Sequence, residues 1–206
     1  MITLRWASKG GHLPVVEYLF SKGADIHKWH EEALRLASGN GHLSVVMYLF
    51  SKGAVIYKDT ALKSASGGGH LPVVQYLVEE GGADIHADNE YAFRWASGNG
   101  HFSVVQYLIE KGADIHACYD EALRLTSECG YLHIVQFLIE KGADIHADNE
   151  YAFMLASRSG HLPVVTYIVE ECRVTEYVLR YRTIECGNLS IARYLTEKGV
   201  TVQLNT

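Results

Sequence analysis

GHFSVVQYLIEKGADIH, residues 100–116, decides how the chain is read. A glycine and a histidine open it, an apolar stripe of Phe102, Val104, Val105, Tyr107 and Leu108 follows, and a second glycine, Gly112, comes just after Glu110 and Lys111. The stripe's spacing suits a helix buried on most sides, with Gly112 as its C-terminal stop. Ala113-Asp114-Ile115-His116 is too short and too mixed for a helix and reads as an extended loop.

The same stretch recurs along nearly all of the 206 residues. Its opening glycine falls at Gly11, Gly41, Gly69, Gly100, Gly130, Gly160 and Gly187, in steps of 30, 28, 31, 30, 30 and 27. Before each one stands a shorter apolar segment, such as Ala33, Leu34, Leu36 and Ala37 or Ala92, Phe93, Trp95 and Ala96, which predicts a first helix. Each unit is therefore helix, tight turn, helix, loop. Helices of about ten residues are marginal alone, so their stability must come from stacking on neighbouring pairs.

Gly-His-Leu-x-Val-Val-x-Tyr-Leu with the trailing Gly-Ala-Asp-Ile-His resembles the second helix and exit loop of the ankyrin repeat, and Ala33-Leu34-Arg35-Leu36-Ala37-Ser38 resembles its first helix. The resemblance implies an all-α, ankyrin-type α-solenoid of about seven stacked helix-turn-helix units. It implies a single domain over 1–206, with units near 1–27, 28–56, 57–86, 87–116, 117–146, 147–174 and 175–206. Two departures are plain: the unit is near 30 residues rather than the family's roughly 33, and the Gly-x-Thr-Pro hairpin segment is absent. Short or missing β-hairpin fingers are expected. This short form is similar to the ankyrin proteins encoded in many copies by giant DNA viruses of amoebae. The family implies a non-catalytic scaffold that holds a partner protein along a concave loop and first-helix edge, a host protein if the viral likeness holds. Alternatives are a substrate adaptor for a host ubiquitin ligase, or a structural or assembly protein of a virion. The adaptor role needs a ligase-recruiting segment, and none is expected between the last pair and Leu204-Asn205-Thr206.

Composition narrows the partner. The net charge of -6, with both signs mixed, favours neither nucleic acid nor an anionic membrane. No stretch approaches the ~18 apolar residues of a spanning helix, and the N-terminus lacks a signal-peptide core. An intracellular, soluble protein is expected, in cytoplasm or nucleus. Cys118, Cys129, Cys172 and Cys186 lack zinc-like spacing and are expected to be inert thiols.

Repetition also tests each candidate for chemistry. Ser38 with His42 looks like a nucleophile and base, but the pair recurs as Ser8 with His12 and Ser97 with His101. Catalysis needs one such pair, so they read as architecture, the serine allowing close helix contact and the histidine tying its turn. Of the 11 histidines, five belong to the Gly-His column and four to the Ala-Asp-Ile-His column at His27, His86, His116 and His146. One repeat apart, they suit no single ion, and neither metal nor other cofactor is expected. A basic ladder, Arg5, Arg35, Lys63, Arg94 and Arg124, has acids such as Glu31, Asp59, Glu90 and Asp120 four residues before its members, so helical i,i+4 pairing is expected to neutralise most of it.

Recognition is then expected where units differ, in the loop that enters each first helix. Trp29, His30, Asp88, Asn89, Glu90, Tyr91, Tyr119, Asp120, Asp148, Asn149, Glu150 and Tyr151 make this strip acidic and aromatic. Aromatic anchors with selecting carboxylates suit a basic or mixed-charge segment of a partner. The third unit carries Val55 and Tyr57 where others have Asp and His, and the sixth loses its loop glycine at Glu171-Cys172-Arg173-Val174. The N-terminus begins inside a first helix, with Ile2, Leu4 and Trp6 and no polar cap. A monomer is expected, with self-association through that end or a missing upstream repeat as the exceptions; Arg193, Thr196, Glu197 and Lys198 read as a polar cap at the other end.

Overall fold

A helix that presents Val, Val and Leu at successive core positions can be stable only if something covers them, and in this protein the cover is the next copy of itself. The computed structural model describes residues 4–25, 28–55, 57–172, 183–186 and 189–204. The side chains of Lys28, Trp29, His30 and Glu31 fall outside that description, as do Ile2, His27 and Arg173 through Arg182.

Two compact units divide the chain, Met1–Ala113 and Asp114–Thr206. The first holds four helix pairs: α1 (Leu4–Lys9) with α2 (Leu13–Ser21), α3 (Lys28–Gly39) with α4 (Leu43–Ser51), α5 (Lys58–Gly67) with α6 (Leu71–Glu79), and α7 (Ala87–Gly98) with α8 (Phe102–Glu110). First helices stack on first helices, α1 on α3, α3 on α5 and α5 on α7, while second helices stack in parallel from α2 through α8. Between the two layers Val45, Val46, Leu49, Leu62, Val74, Leu77, Phe93 and Leu108 are wholly or almost wholly out of water. Ser8, Ser38, Ser66 and Ser97 share this core, where a larger side chain would separate the first helices.

The second unit holds α9 (Ala117–Cys129) with α10 (Leu132–Glu140), α11 (Ala147–Ser159) with α12 (Leu162–Glu171), and α13 (Leu189–Glu197). Its core repeats the first unit's, with Leu123, Ile134, Leu138, Phe153, Val165, Ile168 and Leu195 buried. Where the sixth repeat lacks a loop glycine, α12 runs one residue longer and ends on Cys172. The all-helical, ankyrin-type expectation holds, with a short strand pair added near the C-terminal end. Strand β1 (Thr183–Cys186) packs on α11, where another first helix would stand, and pairs in parallel with β2 (Thr201–Leu204). Among the described residues this is the one strand pair, so hairpin fingers are absent there, as the missing Gly-x-Thr-Pro segment predicts.

Glycine sets both ends of α2, α4, α6, α8 and α10, each of these helices lying between two positive-φ glycines. At Gly41 the chain turns with φ +77, letting His42 N–H reach Ala37 O at 2.9 Å and close α3. Proline in the first turn of α2, α6 and α12 sits where no N–H partner is lost.

Candidate functional site

The loops at the start of α7, α9 and α11 are left-handed turns. Asp88, Asn89 and Glu90 have φ of 52, 54 and 62, and Cys118, Tyr119 and Asp120 and then Asp148, Asn149 and Glu150 repeat it. Side chains other than glycine resist this region, Asp and Asn least, so the conformation needs external support. It comes from the histidine before the turn. His86 donates from Nδ1 to Glu90 at 2.5 Å, His116 to Asp120 at 3.1 Å and His146 to Glu150 at 2.8 Å. Each histidine's own N–H is held in turn by the Asp two residues earlier, at 2.9 Å in all three loops. Asp120 also accepts from Asp144 N–H at 2.9 Å and so straps one loop to the next, as Asp59 does for Asp84 at 2.8 Å.

This geometry divides the sequence-predicted site residues. Glu90, Asp120 and Glu150 are buried, 4 to 6% exposed, and serve as the inner brace of the turn. Asp88, Asn89, Tyr119, Asp148 and Asn149 face solvent, and Tyr91 and Tyr151 are half-buried. Trp29 and His30 lie in α3, with side chains outside the described residues.

The basic ladder is also arranged differently from the helical pairing expected of it. A left-handed residue is not on the helix, so Glu90 and Asp120 cannot use the i,i+4 geometry towards Arg94 and Arg124. Lys63 instead pairs with Asp88 of the following repeat, and Arg5 with Glu32 at 3.2 Å. Arg94 donates to the carbonyls of Asn89 and Asp88, at 2.8 and 3.1 Å, neutralising the end of the left-handed turn. Arg124 does the same at Cys118 O, 2.8 Å, and reaches Asp148 at 3.0 Å.

In the first unit the result is a compact aromatic and cationic surface. Tyr91 and Trp95 stack at 5.4 Å with their planes 19° apart, and the cations of Lys63 and Arg94 lie over Tyr91 at 5.4 and 5.6 Å. Trp95 rests on Gly67, where any Cβ would overlap its indole, and is still 48% exposed. In the second unit Arg124 lies 5.7 Å over Tyr151, and Tyr119 stands 77% exposed. Trp95 is absent from the sequence-derived strip. Its signal was present: Trp6 and Trp95 share a first-helix column with Leu36, Ser64, Leu125 and Leu155, a change of size that the repeat alone does not demand.

Nothing in this arrangement assembles a nucleophile with a base. Ser38 is buried, and His42 donates from Nε2 to Lys9 O of the preceding repeat at 2.8 Å. His70, His101 and His161 do likewise to Gly39, Gly67 and Glu128 at 2.7 to 3.1 Å. The histidine therefore ties neighbouring repeats together rather than its own turn. Burial pushes the thiols of Cys129, Cys172 and Cys186 up, away from the reactive thiolate. Among the described residues no cluster of three or more His, Cys, Asp or Glu could hold a metal ion, and no helix is long and apolar enough to cross a membrane.

Comparison with known proteins agrees with the geometry. The family model described as ankyrin repeats in three copies matches residues 4–89, 34–119, 93–177 and 123–206. Among solved structures, the crystal structure of the human ASB11 ankyrin repeat domain is similar with a TM-score of 0.72, at 20% identity, over 88% of this chain and 87% of that one. At that identity the likeness speaks for the fold alone. No curated protein sequence matches the chain.

Proposed function

The chain belongs to the ankyrin-repeat family, and from that premise we propose that it is a non-catalytic scaffold that grips a partner protein on its loop and first-helix edge. Repeats of this family generally mediate protein–protein contact, while the fold by itself does not name the partner. The observation that carries the reading is Trp95. A tryptophan held flat on Gly67, stacked on Tyr91 and flanked by Lys63 and Arg94, is preorganised and half open to water. Tryptophan, tyrosine and arginine in such a setting are the residues on which interface energy concentrates.

The same geometry supports a partner segment of mixed charge over a wholly basic one. Three carboxylates of the strip are buried, and the exposed Asp88 and Asp148 already hold Lys63 and Arg124. An incoming segment meets aromatic surface bordered by paired charges, so it needs an apolar anchor with both signs around it. A photo-crosslinking residue placed at position 95 or 119 should capture a partner in the native cell. The same residue at Gln136, exposed on a second helix, should not. Equal capture at all three positions would reject this edge.

A further inference from the structure

The second helices carry a joint unrelated to that edge. Glu79, the ninth residue of α6, accepts from Tyr107 Oη at 3.1 Å and pairs with Lys111 Nζ at 2.9 Å, both from the next repeat. Glu170, the ninth residue of α12, meets Tyr194 Oη at 3.2 Å and Lys198 Nζ at 3.6 Å in the same way. In each joint the lysine ammonium also lies over its tyrosine ring, at 5.4 and 5.5 Å. Hydrogen bonds from Lys111 and Tyr107 hold the Glu79 carboxyl below the usual range, and burial with the Glu79 contact pushes the Tyr107 phenol up to about 12.

Each half of this joint also occurs unmated. Tyr18 and Lys22 on the first repeat form the receiving half, with the ammonium 5.6 Å over the ring. Tyr18 is 61% exposed where Tyr107 is 7%, and Val15 is 36% exposed where Val45, Val73 and Val104 are at most 1%. At the other end Glu197, the ninth residue of α13, is exposed. Leu189, which opens that helix, is 52% exposed, whereas the opening residue of every other second helix is half-buried.

We propose that the chain associates head to tail with a second copy: Val15, Tyr18 and Lys22 of one copy receive α13 of the other, with Glu197 set between the Tyr18 hydroxyl and the Lys22 ammonium. Charge and register both select this occupant, because Glu197 occupies the helix position of Glu79 and Glu170, and Tyr18 with Lys22 the positions of Tyr107 with Lys111. The contact is made of two different surfaces, so it leaves one of each open and grows into chains rather than closing as a dimer. It is weak and reversible. Exposed ion pairs contribute little, and Thr196 stands where the internal joints have apolar Val78 or Val169.

Sedimentation equilibrium of the 206-residue chain over a concentration series tests this. The mean mass should rise with concentration without levelling at a dimer, and should fall as salt is added. Lys22→Glu and Glu197→Lys should each give a monomer with an unchanged circular-dichroism melt, because both residues are exposed. An equimolar mixture of the two variants should associate again, since every mixed contact sets opposite charges face to face while neither variant can pair with itself. A wild-type chain that stays monomeric, association that survives both charge reversals, or a mixture that fails to pair overturns the proposal. So does loss of association with Lys22→Glu alone, which indicates symmetric pairing through the N-terminal faces.

Discussion

At the turn end, His42, His70, His101 and His161 reach out of their own helix pair to a carbonyl of the preceding repeat; at the loop end, His86, His116 and His146 reach four residues ahead inside one loop. The two columns look alike in the sequence and are opposite in structure. A turn histidine makes adjacent repeats depend on each other, whereas a loop histidine makes its loop self-supporting. The joint is therefore intolerant of change at two places at once, the ring and the glycine beneath it. The loop concentrates its needs on one buried acid and leaves its outer residues free to differ.

The strongest way to break this contrast is Gly41→Ala. A Cβ there would stand 2.5 Å from the His70 ring on a backbone with φ +77. Urea unfolding should show a loss of about 2 to 4 kcal/mol, the sum of the left-handed cost and overpacking. Combining it with His70→Ala should be markedly non-additive, because the ring that causes the clash is gone. On the loop side, Asp120→Ala removes the acceptor shared by His116 Nδ1 and Asp144 N–H, and should cost about 1 to 3 kcal/mol by the same measurement. Gly53→Ala sharpens the comparison from the backbone side. With φ +94 and nothing within 4 Å of a Cβ, it should lose only the conformational part, about 1 to 2 kcal/mol. Asp148→Ala, on the loop's outer face, gives up an exposed pair with Arg124 and puts alanine at φ +50, and should lose about 1 kcal/mol.

The smallest effect is absent at neutral pH. Tyr107 has its pKa raised from 10.0 to about 12, by burial first and then by Glu79. A raised folded value means that the stabilisation is complete below about pH 10 and is lost as pH climbs through about 12. Its phenolate absorbance should therefore appear above the ordinary tyrosine range in an alkaline titration, and Glu79→Gln should bring it earlier.

The helix pairs were legible because Val-Val-x-x-Leu after Gly-His leaves few other ways to bury those side chains, and the glycine spacing marked every turn. The direction of the histidine bonds was not, since a ring beside a tight turn can reach its own turn or the neighbouring repeat with equal ease on sequence grounds. The left-handed loops were hidden for a different reason. Cys118 and Tyr119 have no preference for positive φ, and Glu90 and Asp120 stand at helical spacing from Arg94 and Arg124. Only the histidine four residues earlier points to the true partner, and nothing local ranks it above the arginine. Three acids read as a recognition surface are inner braces as a result, while Trp95 escaped notice because it sits on the helix rather than in the loop. The β1–β2 pair had no signal, since Thr183–Cys186 fits the pattern that closes a first helix elsewhere.

The lap of histidine on glycine also governs how such an array can change in length. The modules that open at Gly41 and Gly69 each own one half of two joints: the glycine for the module behind and the ring for the one in front. Among such modules a duplication or deletion can start at any residue, provided it spans one whole period, since the seam then still brings a ring onto a glycine. A break that falls short of a period strands a half-joint on each side. Growth by whole modules is thus written into the fastening, and lineages carrying it are expected to differ by integral numbers of repeats.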